Sequence, residues 1–385
     1  MKIQDQKSKY RIAIDARLVT DKVVGISRYS LNLVLGILDK PDVELFCIVN
    51  TDHLYSELTR RGCQGRVSYI RTKSRPLSVL EHFEIPWLLV RYRIDLFHAT
   101  SYMTPIWVPC KFVYSIHDTF HLIFPEGFSW IAKWYFKIVV KHAANIAKCI
   151  ITMSKASKND IEKYIIKNKQ IHITYESYDN IHKTDKSIET LKIRYKIDKP
   201  GYFLFLGNHR VHKNFIRVIK AYTILQKEIT NIPEMVMNLD EQTIRKSLNN
   251  NNKGMPGIRY AGFINEEDLY AIYKNALCLV VPSLYEGFGL FLLEAMDVGI
   301  PVITSNVSSI PEVAGVAALY VDPYNEDEIA SGMKRILEDD KLRSDLIKKG
   351  KEQINKFSWK KCADETYKIY QAVLIGADRA FLGNK

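Results

Sequence analysis

Short apolar runs alternate with longer stretches of helical periodicity, and the alternation occurs twice along the 385 residues. In the first half Arg11–Leu18, Val43–Val49, Leu96–Thr100, Phe112–His117 and Cys149–Met153 read as strands. Several are apolar on both faces, as strands inside a parallel sheet are. Between them, helical spacing predicts helices over Ile26–Leu38, Val79–Tyr92, Ser129–Ala147 and Lys158–Ile166. The second half repeats the rhythm. Its predicted strands are Tyr202–Leu206, Met235–Leu239, Ile258–Tyr260, Leu277–Val281 and Pro301–Thr304. Its predicted helices are Asn214–Lys227, Glu266–Asn275, Gly289–Val298 and Glu326–Leu337. This order implies an α/β chain with two doubly wound, Rossmann-like parallel sheets. Such domains turn their strand carboxyl ends toward an interdomain cleft, so chemistry is expected in the loops that follow strands.

The polar stretch Glu176–Pro200, closed by the breaker pair Pro200-Gly201, predicts the boundary. The expected division is 1–180 as the N-terminal domain, 181–200 as linker and 201–358 as the second domain. Residues 359–385 then form a last helix, with Trp359, Ala363, Tyr367, Tyr370 and Val373 at helical spacing. It lies outside the second sheet and could cross back to the N-terminal domain. Ser247–Gly257, with four consecutive asparagines, reads as a surface loop.

Charge separates the halves. The chain has 55 Lys+Arg and 43 Asp+Glu. Residues 1–200 hold 32 of the basic and 20 of the acidic side chains, which leaves 23 of each for the rest. The whole surplus therefore sits in the first half. No apolar run approaches the roughly 20 residues of a membrane span. Met1–Tyr10 lacks the apolar centre of a signal peptide. Six widely spaced cysteines without a C-x-x-C pair read as free thiols in a reducing cytoplasm.

The densest motif is Pro282-Ser283-Leu284-Tyr285-Glu286-Gly287-Phe288-Gly289-Leu290, between a strand and a helix. Gly287 and Gly289 let backbone approach a ligand, and the helix start offers N–H groups to an anion. Glu286 precedes the helix and Glu294 lies inside it, so carboxylates for hydroxyls flank a seat for phosphate. Gly207-Asn208-His209-Arg210-Val211-His212-Lys213-Asn214 follows another strand. Its fork cation Arg210 and point cation Lys213 suit a diphosphate. No H-E-x-x-H, Cys/His zinc spacing or D-x-D pair occurs.

Together these motifs resemble the retaining glycosyltransferases of family 4, which have the GT-B fold. Gly299-Ile300-Pro301-Val302-Ile303-Thr304-Ser305-Asn306 and Ser308-Ser309-Ile310-Pro311-Glu312-Val313-Ala314-Gly315 extend the likeness. The resemblance implies that Glu294 binds the donor ribose, and that Glu286, with Gly287, Phe288, Gly289 and Leu290, meets the donor. It implies that Arg210 and Lys213 neutralise the leaving diphosphate. Gly25 matches the family's glycine loop, with Ser27 in place of a common second glycine. His117 matches the histidine that donates to the transferred sugar, and Asp118 either orients it or caps the next turn. Ser27 and Asp118 fall on the acceptor side. The catalytic set so implied is His117, Arg210, Lys213 and Glu286, with no cofactor and no metal. Phe291, Asp297-Val298 and Asn238 depart from the family's usual Pro, small pair and Gly.

The sub-pattern Arg91-Tyr92-Arg93-Ile94-Asp95-Leu96-Phe97-His98-Ala99-Thr100 is most similar to bacterial O-antigen or capsule mannosyltransferases. That implies a nucleotide-sugar donor, GDP-mannose first and a UDP-sugar or dTDP-rhamnose as alternatives, and an oligosaccharide or lipid-linked acceptor. A sugar-nucleotide epimerase and a non-catalytic scaffold are the readings of another class. Lys133, Lys137 and Lys141 form one stripe on the helix Ser129–Lys148, a candidate for an anionic membrane surface on the cytoplasmic side. No nucleic-acid recognition motif is present.

Overall fold

A computed structural model describes residues 9–20, 25–179, 188–248 and 255–376. The chain divides into two compact units, Met1–Glu176 with Ser358–Lys385, and Ser177–Phe357.

The first unit is built on seven parallel strands. They are β1 (Tyr10–Asp15), β2 (Val43–Val49), β3 (Ser68–Arg71), β4 (Leu96–Ala99), β5 (Lys111–Ser115), β6 (Cys149–Thr152) and β7 (Ile171–Ile173). Their order is β3-β2-β1-β4-β5-β6-β7. Register places Ile14 beside Cys47 on one side and His98 on the other. Residues of the central strands are buried without regard to face, because helices cover both sides. The edge strands β3 and β7 escape the sequence reading, since each is short and mixes polar with apolar residues. β5 ends two residues before the run expected to reach His117, which puts that residue in the loop beyond the sheet.

The single helix expected over Ser129–Ala147 is three pieces. Trp130–Tyr135 is α-helical, Phe136–Val140 forms a π turn, and Lys141–Ile146 is α-helical again. Ser129 caps it, its Oγ accepting from Ala132 N–H.

The helix Trp359–Ile375 belongs to the first unit. Lys40 Nζ meets Asp364 at 2.6 Å, and Tyr370 OH meets His98 Nδ1 at 2.5 Å. Gly36 lies against Ala363, where any larger residue would collide. Residues 377–385, included in the expected helix, lie outside the described residues.

The second unit is a six-stranded parallel sheet. Its strands are β8 (Tyr202–Phe205), β9 (Met235–Met237), β10 (Ile258–Tyr260), β11 (Ala276–Val281), β12 (Val302–Ser305) and β13 (Leu319–Val321). The order is β10-β9-β8-β11-β12-β13. Phe203, Phe205, Val218, Tyr222, Val280, Ile303 and Met333 centre its core. Part of the expected linker 181–200 is structured. The helix Ile188–Tyr195 is tied to this unit by Tyr195 OH and Arg194, both 2.7 Å from the buried Asp268 carboxylate. Its apolar face, Leu191 and Tyr195, is hidden in sequence among lysines. Residues 180–187, and 249–254 of the expected surface loop, lie outside the described residues.

In each sheet the chain winds outward in both directions from one central pair, β1 with β4 and β8 with β11. Loops that leave these strand ends are where open α/β sheets bind ligands. All six cysteines are free thiols, four of them buried.

Candidate functional site

In the second unit the loops after β8 and β11 are stitched together at the winding reversal. Leu284 N–H donates to His212 O at 2.7 Å. Asn214 sits in the left-handed region at φ 61° and directs its Nδ2 to Pro282 O at 2.8 Å and Pro323 O at 2.7 Å. One asparagine thereby ties together the segments that follow β8, β11 and β13. Across this seam Lys213 Nζ reaches both Glu286 oxygens, at 2.7 and 2.9 Å. Their side chains are 14% and 9% exposed, so the pair is largely shielded from water. The Phe291 ring lies 5.1 Å from the same ammonium. The residue that replaces the family's proline thus supplies a π face under Lys213.

Ser308 OH and Ser309 OH both donate to the Glu286 carbonyl, at 2.6 and 2.9 Å, and Ser309 also reaches Phe288 O at 3.0 Å. They pin the loop that carries Glu286. The Phe288 side chain packs edge-on against Phe357, away from the helix start. Gly289, at φ 102°, opens the helix Leu290–Val298. A Cβ there would add strain to a 3.1 Å approach on Leu292. Gly287 stands in the same loop, and Leu290 is the first helical residue. Glu294 lies inside the helix, buried, and accepts from Tyr273 OH at 2.9 Å. Arg210 is exposed just before the 3-10 turn Val211–Lys213. His212 between the two cations is pushed down to about 4, by burial first and then by Lys213. It is neutral at pH 7 and serves as a backbone acceptor. Asn238, in place of the family's glycine, accepts the Gly207 N–H at 2.8 Å and holds the start of the Arg210 loop.

The first unit holds His117 two residues past β5. Its Nε2 lies 2.7 Å from Thr100 O and its Nδ1 3.0 Å from Glu176 Oε1. Both partners only accept, so the ring satisfies them with a hydrogen on each nitrogen. Burial pulls the pKa down, but the Glu176 hydrogen bond and charge, with Thr100 and Asp118, outweigh it and raise it from the ordinary value. Tyr29 stands edge-on to the imidazole, 4.8 Å between centroids, and its OH meets Ser115 Oγ at 3.0 Å. Of the two alternatives for Asp118, the turn cap is what the contacts show, since its Oδ1 accepts from Phe120 N–H at 3.1 Å. Glu176, 59 positions from the ring it holds, was missed in the sequence, where it reads as the first residue of a polar boundary. Gly25 (φ 45°, ψ −108°) opens the helix Ile26–Ile37 in a conformation other residues avoid. Ser27 Oγ is buried and has no hydrogen-bond partner among the described residues.

Among the expected residues, the structure brings Lys213 and Glu286 into contact beside the helix start at Leu290, with Arg210 on the adjoining turn. It places Gly25, Ser27, His117 and Asp118 in the first unit.

Comparison with known proteins agrees with this division. The family described as Glycosyltransferase Family 4 matches residues 23–179, and that described as Glycosyl transferases group 1 matches 187–353. The O-antigen chain mannosyltransferase B of Escherichia coli is 27% identical over 370 residues, 91% of this chain and 96% of that one. The serotype-specific mannosyltransferase WbdA of Escherichia coli is 28% identical over 286 residues, 70% of this chain but 35% of its own length. Among solved structures, the sucrose-phosphate synthase of Thermosynechococcus elongatus superposes with TM-score 0.71 at 19% identity, covering 96% of this chain and 100% of that one. Anabaena HepE in complex with UDP-glucose gives TM-score 0.71 at 17% identity, covering 94% and 99%.

Proposed function

Because the chain belongs to the GT-B glycosyltransferases, with a Family 4 domain followed by a group 1 domain, we propose that it moves mannose from GDP-mannose onto a growing, lipid-linked surface polysaccharide. The mannosyltransferase relatives support the sugar, and the site supports the donor class. One observation carries the reading: a shielded Lys213–Glu286 pair beside the start of helix Leu290–Val298, with Arg210 exposed on the neighbouring turn.

Breaking an anomeric C–O bond builds positive charge on the sugar ring and negative charge on the departing diphosphate. Arg210, Lys213 and the N–H groups at the start of helix Leu290–Val298 oppose the negative charge, Lys213 from a shielded position where a fixed charge acts most strongly. As the diphosphate engages Lys213, the carboxylate of Glu286 is freed to accept sugar hydroxyls. Glu294, already oriented by Tyr273, accepts from the ribose. Retention follows from front-side attack, the leaving phosphate taking the acceptor's proton. These charges supply what a metal would otherwise give, so activity is expected to persist in a chelator.

The test incubates the purified chain with GDP-, UDP- and dTDP-sugars, with and without an acceptor. Nucleotide release that depends on acceptor, fastest with GDP-mannose and yielding an α-linked product, is the expected result. Release without acceptor demand, or interconversion of the donor sugar, would replace transferase with epimerase.

A further inference from the structure

We propose that one face of the first unit is a docking surface for a bilayer with anionic headgroups. Four of the chain's five tryptophans, Trp87, Trp107, Trp130 and Trp134, are more than half exposed. Apolar side chains that fold a soluble domain turn inward, and single outliers need no explanation, but several large ones on one face do.

Three elements carry this face, and hydrogen bonds through one residue join them. Ile106 N–H donates to His82 Nδ1 at 3.3 Å, on the helix Glu81–Arg91 that bears Trp87. Ile106 O accepts from His142 Nε2 at 2.9 Å, on the segment that follows Trp130 and Trp134. Trp107 is the next residue in the chain. Thr104 N–H adds a 3.5 Å contact to Tyr135 OH. The segment 130–146 turns Phe136, Val140, Ala143 and Ala144 into the core. Trp130, Trp134 and Ile138, four residues apart, are therefore not its packing face; all three are exposed.

Charge decides the occupant. Lys133, Lys137 and Lys141, also four apart, are exposed beside the tryptophans and form no ion pair with any described residue. Arg91 lies over the Trp87 ring at 5.1 Å. Of the carboxylates on or beside these elements, Glu81 is buried against Arg17 and Glu84 accepts from Thr72, Lys73 and Ser74, which leaves the exposed Glu126 against three lysines. Indoles seat at the headgroup level with their ring in the acyl boundary, and lysines beside them meet lipid phosphates. Among the described residues no helix is long and apolar enough to cross a membrane, so the contact is one of lying on the surface. The inference rests on the proposed function only for its purpose, presenting a lipid-anchored acceptor.

The test is flotation of the full chain with phosphatidylcholine vesicles, with and without phosphatidylglycerol, at low and high salt. Expected are flotation with the anionic vesicles at low salt, a blue shift of tryptophan emission, and weakening by salt. The double variant Trp130→Ser/Trp134→Ser loses flotation. Replacing Lys133, Lys137 and Lys141 by Gln weakens binding about fivefold per lysine. Both variants keep the far-ultraviolet circular dichroism of the parent and its nucleotide release with a water-soluble acceptor. No flotation on anionic vesicles at low salt overturns the proposal. So does lipid-independent self-association, seen by sedimentation, that these variants abolish, since a second copy then covers the face. Flotation without any transferase activity leaves this inference standing and removes the proposed function instead.

Discussion

The two units share one frame but treat charge at their central strand ends differently. In the first, Arg17 is 1% exposed and locked three ways. Its Nε and Nη2 take both oxygens of Asp15, and its Nη1 takes Glu81 Oε2 at 2.9 Å. His117 is likewise held on both nitrogens. In the second, one lysine faces one carboxylate, and an exposed arginine stands on the next turn. A buried guanidinium faced by two carboxylates has its charge already compensated and offers little to an anionic ligand. A single ammonium–carboxylate pair can be traded for phosphate and hydroxyl. Winding order alone therefore does not identify the reacting end; the occupancy of its charges does.

The largest expected effect tests the locked side. Arg17→Met leaves Asp15 and Glu81 buried without their cation, and should destabilise the first unit by about 3–5 kcal/mol. All five tryptophans belong to that unit, so the thermal transition seen by tryptophan fluorescence should fall. An unchanged transition would mean that water reaches the triad. On the exchangeable side, Lys213→Ala should cut acceptor-dependent nucleotide release by about 10²-fold with the fold intact. Near-normal turnover would mean that the Lys213 ammonium does not meet the leaving phosphate.

The third prediction concerns pH. His117 has its pKa raised in the folded state, so its bonds stabilise fully below about 6.5, the ordinary value. That contribution is lost as pH rises through the folded value. His98 is opposite: burial first, then the charge of His117, pushes it down to about 3. It is neutral when folded and disfavours folding as pH drops below about 6.5. Glu176→Gln should bring the His117 titration, followed by NMR, down and remove the alkaline loss. A titration that stays put would assign the charge to another partner. The smallest stability effect is expected at Ser27. Its hydroxyl has no hydrogen-bond partner among the described residues, so Ser27→Ala should change the unfolding free energy by less than about 1 kcal/mol and leave the thermal midpoint in place. A fall in turnover with that midpoint unchanged would tie Ser27 to the acceptor.

Periodicity made most of the fold legible, because buried parallel strands are short apolar runs and their covering helices carry an amphipathic stripe. It failed where an element is brief or its apolar residues sparse. β13 is three residues, and the helix Asp340–Gln353 buries little beyond Leu346, Gly350 and Gln353. The π turn at Phe136–Val140 has no local marker at all. Motif spacing marked Lys213 and Glu286 but not that they touch, since 73 positions separate them. The pairings of Glu176 with His117 and of Tyr370 with His98 were invisible for the same reason: they are set by topology. Phe291 and Asn238 looked like departures from a pattern, and in the structure each has a definite contact.

The helix Trp359–Ile375 imposes an order of events during synthesis. It delivers Tyr370 to His98 and Asp364 to Lys40, so the first unit is sealed by residues made after the entire second unit. The second unit is one uninterrupted stretch and has everything its sheet needs as soon as it leaves the ribosome. The earlier-made strands must wait with the groove over Gly36 uncovered. A premature stop shortly before Trp359 would therefore damage the part of the protein that was translated first.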